Sequence, residues 1–212
     1  MILAGTYETG SFLSNEGKKK MKILIVDAGM PFKGGNGGAL NHRLTEIEKA
    51  TLESLGHEVQ VTRLADGWKT EDEVAKYLWL DAVIYQTPAW WMEAPAALKS
   101  YEDDVFGGQP MITGDGRHRE TPDINYGTGG KLQGHYMISS TWNAPLNAFL
   151  AKDEFFEGKG IDATFFGLHK ANQFIGLKPL PSFMCNDVIK NPTIESDIER
   201  LKAHLEKVFG CA

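Results

Sequence analysis

A glycine-rich loop with the features of an anion site lies near the start of the chain. Gly34, Gly35, Gly37 and Gly38 follow an apolar run and precede a segment with helical spacing. Glycines at such a junction leave the backbone N–H groups of a helix N-terminus open to a phosphate. The loop has neither the Gly-x-Gly-x-x-Gly spacing of a dinucleotide fold nor the Lys-Ser/Thr of a P-loop. We therefore predict an anion site here, with a plain turn as the alternative.

A second loop contains two adjacent tryptophans, Trp90 and Trp91, between Pro88 and Pro95. Neighbouring side chains at the end of a strand cannot both face inward, so at least one indole must lie exposed or against a ligand. An exposed aromatic pair favours a planar aromatic partner. A local hydrophobic plug or a contact between subunits is the alternative interpretation.

A third loop, from Thr141 to Pro145, offers hydroxyl, indole and amide groups. Together the three loops provide for a phosphate, for the flat faces of a ring and for hydrogen bonds to the polar edge of that ring. This combination suits a flavin better than a sugar or a metal ion. The histidines lack the spacing of metal ligands, so we predict no metal site; they stand at positions 42, 57, 118, 135, 169 and 204.

The loops are joined to segments whose patterns predict alternating strands and helices. Short apolar or alternating runs predict strands, and apolar positions that repeat at three and four predict amphipathic helices. The predicted strands are Lys22–Asp27, His57–Leu64, Asp81–Gln86, Tyr136–Thr141 and Ala163–Phe166. The predicted helices are Leu40–Leu55, Thr70–Leu80, Ala96–Val105 and Thr193–Phe209.

Alternation of strand and helix is typical of a parallel sheet with helices on both faces. Five such strands with right-handed crossovers predict a doubly wound α/β fold, either flavodoxin-like or Rossmann. In both folds, ligands bind outside the carboxyl ends of the strands. We therefore expect the site at the loops after Asp27, Gln86 and Thr141. The long connection 106–134 is also expected to be functional.

The composition indicates one globular domain without a polyanionic partner. The apolar fraction of 42% is enough for a sizeable core, and the formal net charge of -6 gives no reason to bind nucleic acid or an anionic membrane surface. No apolar run is long enough for a membrane helix. The two cysteines form neither a disulfide framework nor a zinc site. We expect a cytoplasmic protein with a flexible extension over 1–20 and a single domain over 21–212.

Seven segments carry a close resemblance to a known family. They are Pro88–Met92, Tyr101–Phe106, Asp115–Arg117, Tyr126–Gly130, Thr141–Pro145, His169–Phe174 and Asn186–Lys190. Across residues 22–210 the chain resembles the bacterial modulator of drug activity B family, which are NADPH-dependent quinone reductases of the flavodoxin-like superfamily. The resemblance implies a five-stranded flavodoxin-like sheet with the strand order 2-1-3-4-5.

The resemblance also implies FAD bound at a homodimer, with NAD(P)H and quinones as substrates. The phosphates are expected on Asn36, Gly37, Gly38, Ala39, Leu40, Asn41, His42 and Arg43. The isoalloxazine ring is expected beside Pro88, Ala89, Trp90 and Trp91, with further contacts from Tyr126 and from Thr141, Trp142, Asn143 and Ala144. The first loop departs from the family pattern, since it carries an extra glycine and lacks an expected serine.

The mechanism implied by the resemblance is a two-electron, ping-pong reaction. NAD(P)H gives a hydride to the flavin and leaves, and a quinone then takes the same place and receives the hydride. A proton must also reach the reduced quinone. Among His135, His169 and Tyr126 we select His169 as the catalytic candidate, against the alternative that it is a structural hydrogen-bond donor.

Two other functions remain open on the sequence alone. A flavodoxin-type electron carrier or a flavin-binding regulatory subunit would bind a flavin without oxidising NAD(P)H. An azo- or nitro-reductase would share the pocket and differ in substrate. NADPH oxidation in the presence of menadione separates the carrier from the enzyme, because a carrier shows none.

Overall fold

The structure, a computed structural model, describes residues 20–32, 37–108 and 110–210. The predicted extension, apart from Lys20, lies outside the described residues. The strands of the described chain are β1 (Lys22–Asp27), β2 (Glu58–Arg63), β3 (Ala82–Pro88), β4 (His135–Thr141), β5 (Lys178–Pro179) and β6 (Phe183–Cys185). Its helices are α1 (Ala39–Ser54), α2 (Thr70–Trp79), α3 (Ala96–Phe106), α4 (Asn147–Leu150), α5 (Gly160–Thr164), α6 (Phe166–Phe174) and α7 (Ile194–Phe209).

The strands form one parallel sheet in the order β2-β1-β3-β4-β5, with β6 also paired to β4. This confirms the predicted order and the flavodoxin-like fold. β1 lies inside the sheet because its apolar run, Ile23 to Val26, is fully buried on both faces. The loops that follow β1, β3 and β4 therefore leave the sheet side by side.

Successive side chains of the strands pack into two separate apolar layers. On one face, Ile25 packs with residues of α1 and α7 such as Leu44 and Leu201. On the other face, Val26 packs with residues of α2, α3 and α6 such as Tyr101. Because the strand period is two, this alternation places helices on both sides of the sheet.

The predicted fifth strand, Ala163–Phe166, is wrong. Ala163 and Thr164 end α5, and Phe166 begins α6. The segment is apolar because Phe165 is buried between the two helices, with its ring centroid 5.6 Å from that of Trp142. A short apolar run does not distinguish a strand from a buried helix junction.

The outer position of the sheet is shared by β5 and β6. β5 pairs with the start of β4, at His135 and Tyr136, and β6 pairs with its end, from Ser139 to Thr141. Pro179 and Pro181 interrupt this part of the chain. Proline weakens a strand pattern, and it is tolerated here because this side of the sheet is an edge.

The long connection before β4 lies at the end of the sheet where β4 begins. Thr113 N donates to Gly129 O at 2.9 Å, Lys131 N to Met111 O at 2.9 Å, and Leu132 N to Ile175 O at 3.1 Å. Met111 is fully buried. The first two bonds lie within the connection, and the third joins it to the residue that follows α6. Over the residues that the structure describes, no helix combines the length and the apolar character needed to cross a membrane.

Candidate active site

Three strands end side by side at one edge of the sheet, which we call the carboxyl edge. Asp27 is in register with Gln86, and Gln86 with Ser139. Two residues further on, Pro88 is in register with Thr141. The loops that follow β1, β3 and β4 therefore emerge as neighbours, as expected for the ligand site of a doubly wound sheet.

The first loop ends in an open helix N-terminus. Gly38 precedes α1 with a φ of 93°, in the left-handed region that favours glycine, and has no side chain to cap the first turn. The backbone N–H groups of Ala39 and its neighbours are thus available to an anion. Gly37 packs so closely on Pro31 and Phe32 that no Cβ would fit there. Asn36, predicted for the same site, lies outside the described residues.

Beneath this helix terminus lies a buried carboxylate. Asp27 is fully buried, and its Oδ1 accepts a hydrogen bond from Gly29 N at 2.8 Å. Its Oδ2 lies 2.5 Å from Nδ1 of His42, in the first turn of α1, and 3.7 Å from Nε of Arg63 on β2. The two basic side chains therefore offset the negative charge close to the predicted phosphate position.

The side chain of Arg43 turns away from the first loop. Its Nη2 donates to both carboxylate oxygens of Glu195 on α7, at 2.8 and 3.0 Å. Arg43 thus links α1 to α7. Leu40 packs on the apolar layer that contains Ile25 and Leu201. Of the residues predicted for phosphate, those that face the open turn are Gly38, Ala39, Asn41 and His42.

The second loop is a tight turn that projects one indole into solvent. Trp90 N donates to Glu93 O at 2.8 Å, and Glu93 N to Trp90 O at 3.1 Å. Between them Trp91 and Met92 both have positive φ, 51° and 67°, a conformation that costs about 1–2 kcal/mol for each non-glycine residue. Trp91 is 88% exposed, as the adjacent pair predicts. Backbone strain with an exposed indole points to a functional loop.

Trp90 links the second loop to the first. Its ring lies edge-on to Phe32, with centroids 5.0 Å apart, and it is partly buried. Ala89 N donates to Thr141 O at 2.9 Å, which ties the same loop to the end of β4. The loop therefore has fixed neighbours on both sides although its tip is exposed.

The third loop combines a buried floor with an exposed amide. The indole of Trp142 is buried and its Nε1 donates to Ser140 Oγ at 2.9 Å, so Trp142 forms the floor of the site. Asn143 is exposed, and Ala144 O accepts a hydrogen bond from Asp187 N at 3.1 Å. The amide of Asn143 is thus the polar group that this loop presents to a ligand.

The second and third loops enclose a mainly apolar cavity of about 470 Å³, which we call the ring pocket. Its walls include Ala89, Trp91, Met92, Asn143, Ala144 and Phe155. Met92 and Phe155 were not predicted from the sequence. Phe155 is 70% exposed and precedes the partly buried Phe156, so the two adjacent aromatic residues are a sequence signal that resembles the tryptophan pair.

Tyr126 lies away from the ring pocket of its own chain. Its ring centroid is 5.4 Å from that of Phe174, at the end of α6, and Arg117 lies over its other side. From there the chain enters β5, which pairs with the first residues of β4. The ring pocket stands at the other end of β4, a strand that is roughly 20 Å long at about 3.3 Å per residue.

His169 also lies away from the carboxyl edge. Its Nδ1 is 2.8 Å from the hydroxyl of Tyr136, near the start of β4, and its Nε2 is 3.3 Å from Asp162. The imidazole is almost entirely buried. In this position it is a hydrogen-bond partner of Tyr136, and its catalytic role stays a prediction.

The strand order defines a flavodoxin-like fold, with the three loops together at the carboxyl edge. Residues 21–208 match the flavodoxin-like fold family. The chain is 48% identical over 193 residues to the NADPH:quinone oxidoreductase MdaB of Haemophilus influenzae, covering 90% of this chain and 100% of that protein. The chain therefore belongs to the MdaB family of the flavodoxin-like fold.

Two further comparisons agree with this assignment. An uncharacterized protein of Schizosaccharomyces pombe is 48% identical over 195 residues, which covers 91% of this chain and 99% of that protein. The solved structure of an NAD(P)H:quinone oxidoreductase from Methanothermobacter marburgensis superposes with a TM-score of 0.64 at 15% identity, covering 87% of this chain and 97% of that one. At that identity the second comparison supports the fold alone.

Proposed function

We propose that the protein is an FAD-dependent NADPH:quinone oxidoreductase that reduces quinones by two electrons. The observation that carries the proposal is the ring pocket, an apolar cavity beside the exposed indole of Trp91 and at the same edge of the sheet as the open N-terminus of α1. The 48% identity to the Haemophilus influenzae quinone oxidoreductase supports the same activity.

The donor set fits a flavin dinucleotide. The apolar walls of the ring pocket suit a flat aromatic ring, and the exposed amide of Asn143 suits its polar edge. The uncapped first turn of α1, with His42 beside it, suits a diphosphate. We prefer FAD to FMN on the resemblance to the family, and release of the cofactor followed by chromatography distinguishes them.

A flavin held by these residues would supply two-electron hydride chemistry between NADPH and a quinone, which would occupy the same place in turn. The residues of the chain bind the flavin, orient its ring and exclude water from it. Trp91 supplies a flat apolar surface at the mouth of the pocket, and the buried Trp142 supplies a rigid floor. The strained turn at Trp91 and Met92 holds the indole outward.

We also infer that the active form is a homodimer. Trp91 and Phe155, which line the ring pocket, are exposed, and the exposed apolar residues Leu150 and Ile189 are close in sequence to the lining residues Ala148 and Lys190. Such a patch is typical of a protein interface. Tyr126 lies at the opposite end of its own sheet, so a contact between Tyr126 and the flavin would have to come from the partner subunit.

The experiment that tests the function is a measurement of NADPH oxidation by the FAD-loaded protein with menadione. We expect rapid oxidation of NADPH and a saturable dependence on menadione. A flavodoxin-type carrier or regulatory subunit would bind the flavin and show no oxidation. An azo- or nitro-reductase would turn over with NADPH but prefer an azo or nitro acceptor over menadione.

A further inference from the structure

A buried carboxyl group lies in the middle of α1, the helix whose N-terminus is the predicted phosphate site. Glu48, on the inner face of α1, is fully buried, and neither of its carboxyl oxygens has a well-formed hydrogen bond among the described residues. It faces Ser139 on β4. Burying an unpaired charge is costly, so a glutamate in such a position is normally neutral.

Ser139 is the first member of a hydrogen-bond chain, which we call the relay. Ser139 Oγ donates to Gln86 Oε1 at 2.6 Å, and Gln86 Nε2 donates to Asn41 Oδ1 at 2.8 Å. Asn41 Nδ2 donates to Thr141 Oγ1 at 3.3 Å. Asn41 lies in the first turn of α1, and Thr141 ends β4. The relay therefore fixes the open helix N-terminus against the third loop.

The direction of these bonds requires a neutral partner at the start of the relay. The hydroxyl hydrogen of Ser139 is used on Gln86, so Ser139 has only acceptor capacity left for Glu48. A carboxylic acid can donate to that oxygen. An ionised carboxylate can only compete for the same hydrogen, and would draw Ser139 away from Gln86.

Burial and the nearby negative charge of Asp27 disfavour ionisation of Glu48. Burial is the main cause that raises its pKa, to about 8, with the negative charge of Asp27 adding to it and Ser139 opposing it. Burial also raises the pKa of the Cys185 thiol on β6, which keeps that neighbour neutral.

The other charged groups that pack near this region are already paired. Asp197 on α7 is buried and accepts a hydrogen bond from Arg200 at 2.6 Å. His42 and Arg63 both lie on Asp27. Arg200, His42 and Arg63 are thus each paired with a carboxylate other than Glu48.

We propose that Glu48 is a positioning residue which, as a neutral acid, holds the relay in the arrangement that binds the flavin diphosphate, and that its ionisation weakens flavin binding. The inference rests on the proposed function, because it concerns the same flavin site. It adds a control of flavin affinity by pH in a residue that does not touch the ligand.

The experiment is a fluorescence titration of the flavin-free protein with FAD from about pH 6 to about pH 9, in the wild type, in Glu48→Gln and in Ser139→Ala. Above the pKa of Glu48, the dissociation constant of the wild type is expected to rise by up to about tenfold for each pH unit. Glu48→Gln, which keeps a donor and cannot ionise, is expected to lack this rise. Ser139→Ala is expected to bind more weakly and to lack it as well.

A parallel measurement does not depend on flavin binding. The side-chain amide resonance of Asn41, followed by NMR in the flavin-free protein, is expected to move with pH in the wild type and to stay fixed in Glu48→Gln. Equal pH profiles of the wild type and Glu48→Gln in both measurements would overturn the proposal. If none of the proteins binds FAD at any pH, the proposed function fails, and the Asn41 resonance alone decides whether the relay responds to Glu48.

Discussion

Nδ1 of His42 lies 2.5 Å from Oδ2 of Asp27, so the first turn of α1 is joined to the end of β1 by a charge-assisted hydrogen bond. The other ring nitrogen, Nε2, faces the turn at Gly38, where an added Cβ would lie 2.9 Å from it. The carboxylate thereby orients the imidazole towards the predicted phosphate position.

Removal of His42 alone is expected to weaken both the fold and flavin binding. His42→Ala leaves the Asp27 carboxylate buried with only Arg63 nearby, and breaking a buried pair costs about 3 kcal/mol. The carboxylate of Asp27, no longer paired with His42, also repels a diphosphate. We therefore expect FAD affinity to fall by about tenfold or more. Chemical denaturation and FAD titration measure the two effects.

The matched control is the double variant His42→Ala with Asp27→Asn, which removes both members of the pair. It is expected to recover most of the lost stability and part of the FAD affinity, since no unpaired carboxylate remains. If the double variant were no more stable than the single one, the pair would not be the source of the effect.

The parallel α/β class of the sheet could be predicted because it depends on local patterns, whereas its strand order was implied by the family resemblance. The apolar run predicts β1, and the loops after Asp27 and Thr141 mark the ends of two strands. Parallel strands bring such ends together. β5 and β6 could not be predicted in the same way, since Pro179 and Pro181 obscure two very short strands.

Long-range partners account for the site residues whose positions were not predictable. Arg43 pairs with Glu195, and His169 with Tyr136, through contacts that no local spacing encodes. Tyr126 belongs to the long connection 106–134, and the residue pattern of that connection does not show at which end of the sheet Tyr126 lies. Glu48 is a polar residue on the buried face of α1. Its burial becomes evident only when the fold places Ser139 of β4 against it.

Truncation of Trp91 is expected to affect the ligand and not the fold. Because the indole is 88% exposed, Trp91→Ala should change the free energy of unfolding by no more than about 0.5 kcal/mol. Loss of an aromatic stacking surface is expected to weaken FAD or quinone binding by about tenfold. Trp79→Ala, at a partly buried position on α2, is the control that should lose stability without this specific loss of binding. A wild-type KM for menadione together with wild-type FAD affinity in Trp91→Ala would contradict the assignment.

The buried acid is also expected to control the pH dependence of stability. The pKa of Glu48 is raised in the folded protein, to about 8, above its ordinary value of 4.5, so the folded state holds a proton that the unfolded state has released. Stability from this group is therefore complete below about pH 4.5 and falls by about 1.4 kcal/mol for each pH unit up to about pH 8. Glu48→Gln should remove that slope.

Denaturation curves of the wild type and Glu48→Gln at several pH values test this prediction. The two proteins should be similar near pH 4.5, and the variant should be increasingly more stable towards pH 8. A constant difference between them across this range would mean that Glu48 does not titrate with a raised pKa.

A charge placed on the rim of the ring pocket is expected to separate the proposed dimer. Phe155 is 70% exposed and lines the pocket, so Phe155→Asp should leave the folded subunit intact while placing a carboxylate in the interface. We expect a monomer by analytical ultracentrifugation, with FAD affinity reduced because the contacts of the partner subunit are lost. Leu78→Asp, at an exposed apolar position on α2, is the matched control and should remain dimeric. A Phe155→Asp protein that stays dimeric would place the interface on another surface, and the route by which Tyr126 reaches the flavin would then have to change with it.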